Sequence, residues 1–219
     1  MSEQPKTYEY TKKCEHRNFT RLWQYLQRII YTGRGGIVGQ VSTRRTRILH
    51  ELYAHASHFL DQLQAPYWID FGTLLGYHRS GDVIPHDQDI DFAMEAKYYE
   101  KLLSMQSSLP KELTFQDKTK CHNGPKIKLN YKGFDGDIYF YEDLGDHIRS
   151  FENSFYPNER SLVPKSLIFP LQQVTFLNRD ILAPANVQGY LEHVYGYLGT
   201  GGWRDQKTGI WNPPGSQSR

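Results

Sequence analysis

The fold is decided by Trp68-Ile69-Asp70-Phe71-Gly72-Thr73-Leu74-Leu75-Gly76-Tyr77-His78-Arg79-Ser80-Gly81-Asp82-Val83-Ile84-Pro85-His86-Asp87-Gln88-Asp89-Ile90-Asp91-Phe92-Ala93-Met94. It reads as a short strand over residues 67–71, a Gly72-Thr73 step into one or two helical turns, a Ser80-Gly81 turn, and a second strand. That second strand carries Asp87, Asp89 and Asp91. Side chains alternate across an extended strand, so Asp89 and Asp91 share one face while Ile90 and Phe92 point to the other, a core. Carboxylates this close raise each other's pKa unless a cation lies between them. The pattern therefore predicts a bound cation.

Other readings compete for the same acids. A calcium-binding EF-hand loop starting at Asp87 needs Gly at its sixth position and Glu at its twelfth, where this chain has Phe92 and Tyr98. The metal-holding D-x-D of a sugar-nucleotide glycosyltransferase explains two acids, but not the Gly72-Thr73 step and Arg79 before them. A solvated acidic turn is the usual meaning of a bare D-x-D. Here the alternation with Ile90 and Phe92, and a further acid before an apolar residue at Asp137-Ile138, argue against it.

Transfer of a phosphorus-containing group accounts for the combination. Gly72 would let backbone approach a phosphate, and a helix starting at Thr73 would offer it free N–H groups and a positive dipole end. Asp89 and Asp91 would hold Mg2+ or Mn2+, with a third carboxylate from a neighbouring strand. Arg79, Lys126 and Lys128 would neutralise phosphate charge, although ordinary surface charge explains the two lysines equally well.

Around this stretch, apolar residues at helical spacing predict an amphipathic helix over 19–31. The glycines at 33, 35, 36 and 39 match neither phosphate-loop fingerprint and read as a linker. A second helix follows a cap at Ser42 or Thr43, its stripe formed by Leu49, Leu52, Tyr53, Ala56, Phe59, Leu60 and Leu63. Further helices are predicted at about 96–107 and 185–197. Strands are predicted at 113–116, 126–131 and 136–141, joined as antiparallel neighbours through turns at His122-Asn123-Gly124 and Gly133. The domain reading is a basic arm over 1–41, a catalytic domain over 42–200 and an irregular tail over 201–219.

The chain has 219 residues, 38% hydrophobic and 14% aromatic, which suits one globular domain. Its net charge of +2 is too small to argue for nucleic acid. The charge is unevenly spread, however. Lysines and arginines stand at 12, 13, 17, 21, 28, 34, 44, 45 and 47, with Glu15 the only acid among them. This stretch reads either as a dock for an anionic membrane surface or phosphate-rich partner, or as a solvated arm. Cys14 and Cys121 have no short-range spacing, so a disulfide scaffold is not expected and a reducing compartment fits. With no signal-type or membrane-spanning run, the expected location is cytoplasmic.

The stretch from Gly72 to Asp91 resembles the LicD/fukutin family, whose hallmark is close to G-[TG/S]-L-L-G-x-x-R-x-G-x-[IV]-I-P-W-D-x-D-[IV]-D. The ending Pro184-Ala185-Asn186…Tyr190-Leu191-Glu192…Tyr195-Gly196 is similar to a second family signature, and together the resemblance covers residues 45–200. His86 stands where the family usually has Trp. The resemblance implies an α/β nucleotidyltransferase-like fold with a small central mixed sheet flanked by helices. It also implies a reaction that moves a phospho-alcohol, such as phosphocholine or ribitol phosphate, from a CDP-linked donor to a glycan or glycolipid hydroxyl, releasing CMP. Asp89 and Asp91 then look like the metal pair and Asp137 the third carboxylate, with Asp135 a competitor for that place. Asp87 would be a neighbouring group or a base on the acceptor side, and His86 would lie near substrate. Release of pyrophosphate from an NTP, or binding without turnover, are the alternatives.

Overall fold

A computed structural model of the chain describes residues 18–32, 38–122, 124–152 and 161–216. The expected arm before residue 18, most of the glycine linker, Asn123 of the expected turn, and Cys14 lie outside the described residues. Helices α1 (Asn18–Thr32) and α2 (Val38–Asp61) come first. α2 starts ahead of the Ser42/Thr43 cap and runs through Gly39, which costs a helix only about 1 kcal/mol. Its stripe from Leu49 to Leu60 is fully buried, as the spacing predicts.

Among the described residues, nine strands share one mixed sheet. Its main path uses β1 (Trp68–Ile69), β2 (Asp89–Glu95), β3 (Thr114–Asp117), β4 (Lys126–Tyr131), β5 (Phe134–Asp143), β8 (Gln172–Phe176) and β9 (Arg179–Ala183). They lie in the order β3-β4-β5-β2-β1-β9-β8, while β6 (His147–Ser150) and β7 (Val163–Pro164) branch from β5. The expected antiparallel run is β3-β4-β5. β5 begins at Phe134 rather than 136, which brings Asp135 onto the strand. β2 pairs with β5 in parallel, in the register Asp89↔Asp135, Ile90↔Gly136 and Asp91↔Asp137.

One face of this sheet is packed by α2, with Ile90, Phe92, Ile127, Leu129 and Ile138 buried beneath it. At Gly136 a Cβ would stand 3.4 Å from Leu52 Cδ1, an ordinary contact distance, so α2 lies directly over this strand. Helices α3 (Phe71–Ser80) and α6 (Val187–Tyr195) pack on each other, α3 also packs on β2, and the single turn α5 (Lys165–Ile168) packs on α6. The helix expected at 96–107 is shorter: α4 (Tyr99–Ser104) lies between 3-10 turns at Ala96–Tyr98 and Met105–Ser108. The tail is not wholly irregular, since β10 (Trp203–Arg204) and β11 (Trp211–Asn212) pair as a small hairpin. The architecture is α/β, a central mixed sheet flanked by helices.

One expectation changes and another is met. Cys121 is disulfide-bonded, so cysteine usage no longer argues for a reducing compartment. No described helix is long and apolar enough to cross a membrane.

Candidate active site

On the sheet face away from α2, three neighbouring strands bring charged side chains into rows. Asn130, Asp135 and Asp89 form one row, and Lys128, Asp137 and Asp91 the next. In the following row Lys126 stands opposite Tyr139. Period-2 alternation puts Asp89 with Asp91 on β2 and Asp135 with Asp137 on β5, and the parallel register sets the pairs side by side. Carboxylate oxygens of Asp89, Asp91 and Asp137 all lie within 4.8 Å of one another. Asp91 and Asp137 are each only 5% exposed. The cluster opens into a cavity of about 310 Å³ lined by Phe71, Gly72, Asp87, Asp89, Asp91, Tyr139, Glu152 and Tyr195.

α3 enters this site from its N-terminus. It starts at Phe71, two residues before Thr73, because Asp70 caps it: the Phe71 N–H donates to Asp70 Oδ1 at 2.8 Å. The next N–H, that of Gly72, donates to Asp91 Oδ2 at 2.9 Å. Thr73 Oγ1 accepts the Asp91 backbone N–H at 2.7 Å. The helix start thus holds carboxylates where a phosphate was expected. A Cβ on Gly72 would stand 3.1 Å from Asp87 Oδ2 and 3.2 Å from Asp91 Oδ2, so this glycine makes room for acids. Phe71 has φ 39°, a left-handed backbone rare for a bulky residue, and its ring meets Tyr139 edge-on at 4.7 Å.

Below the cap lies a closed polar ring. Asp70 is fully buried, its Oδ1 2.5 Å from Tyr190 Oη and its Oδ2 2.6 Å from Tyr141 Oη. The two phenol oxygens are 2.7 Å apart. Three short O···O contacts need three protons, and two phenols supply two. The third belongs to Asp70, whose pKa burial raises against the opposing hydrogen bonds of Tyr141, Tyr190 and the Phe71 N–H.

Burial also raises Asp91 well above the ordinary carboxylate value, with Asp89 and Asp137 adding repulsion. Asp89 is raised by burial and then by Asp137. Burial and then Asp89 push Asp87 up to about 6. Two lysines face these acids from β4. Lys128 Nζ lies 3.0 Å from Asp135 Oδ2 and 3.4 Å from Asp137 Oδ1. Burial works against its charge, but Asp137 and Asp135 outweigh it and hold its pKa above the usual lysine value. Lys126 Nζ lies 3.0 Å from Glu152 Oε2, 3.4 Å from Asp137 Oδ2, and 4.4 Å from the centre of the Tyr139 ring. Glu152 also pairs with His122 at 3.1 Å, and His122 and Lys126 bring it down to about 2 against its burial.

The structure therefore gathers Asp87, Asp89, Asp91, Asp137, Gly72, Lys126 and Lys128 in one place. Asp135 is already engaged, accepting from Asn130 at 2.8 Å, Gln24 at 3.3 Å and Lys128. Arg79 does not face the cluster. Its guanidinium donates to the Leu198 and Gly199 carbonyls, tying the chain after α6 to α3, and it reaches Asp87 only through its field. His86 is exposed and acts on Asp87 in the same way. Sequence reading missed Tyr139, Glu152, Asp70 and Tyr195. Tyr139 was findable, being two residues beyond Asp137 on the same strand face. Glu152 follows β6 with no periodic signal.

Comparison with known proteins gives a consistent result. The sequence model described as LicD/FKTN/FKRP, nucleotidyltransferase domain, matches residues 64–186. Ribitol-5-phosphate transferase FKTN of Macaca fascicularis is 28% identical over 178 residues, covering 76% of this chain and 36% of the relative. The Homo sapiens protein of that name is 27% identical over the same length and shares. The chain thus spans about a third of the length of these relatives. A crystal structure of the lincosamide antibiotic adenylyltransferase LnuA, lincomycin-bound, aligns with TM-score 0.44 and 16% identity, covering 72% of this chain and 89% of that one. The family match takes in β1, the whole acidic cluster and the start of α6's approach, more than half of the chain; the chain belongs to the LicD/FKTN/FKRP nucleotidyltransferase-domain family.

Proposed function

We propose that the protein is a divalent-metal-dependent phosphotransferase that moves a phospho-alcohol from a CDP-linked donor to a glycan hydroxyl, releasing CMP. The catalytic unit of this reading is residues 42–200, with 1–41 as an arm and 201–219 as a tail. The observation that carries it is the Asp89–Asp91–Asp137 cluster in a family whose FKTN relatives are named ribitol-5-phosphate transferases. The donor set fits Mg2+ or Mn2+: three hard carboxylates, two of them buried, with Asp137 Oδ1 buried and met by Lys128 Nζ at 3.4 Å without a well-formed hydrogen bond. When bound, such an ion supplies charge neutralisation at the transferring phosphate.

The chain's own groups do the rest. The Gly72 N–H and Thr73 Oγ1 fix Asp91, and Lys128 fixes Asp135 and Asp137, so the cluster keeps its shape as charge develops. Asp87 would accept the proton of the attacking hydroxyl, a reading its rise to about 6 and its position lining the cavity support. The acceptor oxygen forms a bond to the alcohol-bearing phosphorus, the bond to the CMP oxygen breaks, and CMP leaves with that electron pair. Lys126 stands beside Asp137 to balance phosphate charge. The test incubates the chain with CDP-choline, CDP-ribitol or CDP-glycerol and Mg2+ or Mn2+, followed by mass spectrometry. CMP appears with the wild type and not with Asp89→Asn or Asp91→Asn, which fold normally but lose the rise in melting temperature that Mn2+ gives. Pyrophosphate from an NTP in place of CMP, or wild-type turnover by both variants, would refute it.

A further inference from the structure

α1 is mounted with its polar side inward. Gln24 Nε2 donates to Asp135, and Arg28 donates to Gln88 and, at 2.6 Å, to the Gly133 carbonyl, with its guanidinium over the Phe134 ring. Thr32 is buried on that same side. At 100° per residue, Leu22, Leu26, Ile30 and Trp23 fall within one arc of about 100° on the opposite side. They are 53%, 38%, 68% and 55% exposed. Amphipathic helices of globular domains turn such a stripe inward; this one offers it to the surroundings.

The charge around the stripe identifies what covers it. From Asn18 to His50 the sequence has no acid, and the described positive charge beside α1 comes chiefly from α2, where Arg44 lies at the C-terminal end of α1 and the Arg47 side chain is 71% exposed. Near the C-terminal end of α1, Arg44 reaches the Thr32 carbonyl and Lys132 lies over the Tyr31 ring. Glu51 is the acid set against them, pairing with Lys132 at 2.7 Å and Arg47 at 3.8 Å. A second copy docked on this stripe would bring two basic belts together, whereas an anionic lipid surface neutralises one. We infer that α1 is an in-plane anchor that seats this protein on an anionic membrane surface. Its inner face touches Gln88 and Asp135, so the lipid would lie about one helix diameter, roughly 10 Å, from the acidic cluster. The docking does not depend on the chemistry proposed above.

The test is co-sedimentation of the full chain with vesicles of phosphatidylcholine alone, and of phosphatidylcholine and phosphatidylglycerol in equal parts. The wild type pellets with the mixed vesicles, and added salt releases it. Leu26→Glu with Ile30→Glu lowers the partition at least about tenfold, as does Arg44→Gln with Arg47→Gln, with circular dichroism unchanged. Absence of vesicle binding by the wild type, equal binding to neutral vesicles, or full binding by the folded Leu26/Ile30 variant overturns the inference. So does a concentration-dependent dimer, seen by light scattering, that the same variant abolishes.

Discussion

Asp70→Asn tests the proton count in the Asp70–Tyr141–Tyr190 ring. Asparagine repeats the neutral acid: its Nδ2 donates to Tyr141, Tyr141 donates to Tyr190, and Tyr190 donates to Oδ1. One spare amide N–H remains, costing about 1–3 kcal/mol at all pH values. The wild type behaves differently. Its folded-state Asp70 pKa is raised by burial above the ordinary 3.8, so above that pH the folded chain keeps a proton that the unfolded chain has released. Stability then falls as pH rises, by about 1.4 kcal/mol per pH unit for as long as the folded carboxyl stays protonated. The asparagine variant has no such slope. Urea unfolding of both proteins at half-unit steps from pH 4 upward gives a wild-type-minus-variant difference that shrinks over the first units and then changes sign. Parallel curves across the series would mean that Asp70 is ionised in the folded state, and the three-proton ring would be wrong.

Gly72→Ala separates stability from chemistry. Alanine should favour α3 by about 0.5–1 kcal/mol, while its Cβ, 3.1 Å from Asp87 Oδ2 and 3.2 Å from Asp91 Oδ2, displaces both acids. The expected result is an unchanged or higher urea midpoint with CMP release down about tenfold or more; unchanged turnover would show that the acids tolerate the shift. Glu152→Gln removes a carboxylate held down to about 2 from its ordinary 4.5. A lowered acid contributes stability above its unfolded value and loses it as pH falls through the folded one, so the window is pH 4.5 to 2. At pH 7 the variant should be less stable by on the order of 2 kcal/mol, the gap closing near pH 2; a gap independent of pH contradicts the ion-pair account.

The local part of this architecture was legible. Period-2 alternation gave the shared face of Asp89 and Asp91, and helical spacing gave the buried stripe of α2. What the sequence could not reach was non-local. Asp135 and Asp137 lie on the same strand face, so alternation cannot choose between them; cross-strand partners do, with Asn130, Gln24 and Lys128 filling Asp135's hydrogen bonds. The start of α3 was read two residues late because Phe71 adopts a backbone its size disfavours. The amphipathicity of α1 was visible, but its orientation follows from Gln24 and Arg28 finding partners on the domain, and the usual apolar-inward rule points the wrong way. The disulfide of Cys121 left no local spacing to read.

The parallel pairing of β2 with β5 also bears on how the chain comes together. β1, α3 and β2 are near neighbours in sequence, as are β3, β4 and β5, so each group closes through short loops. The β2–β5 rungs form the seam between them, and joining Asp91 to Asp137 closes a much longer loop. Asp89 and Asp91 come from one side of that seam and Asp137 from the other. Until the seam closes there is no cluster, and closing it brings like charges together. A cation held there would be a staple across that join. Bound to the native state alone, it would slow amide exchange along the β2–β5 rungs by the factor 1 + [L]/Kd wherever exchange requires the seam to open.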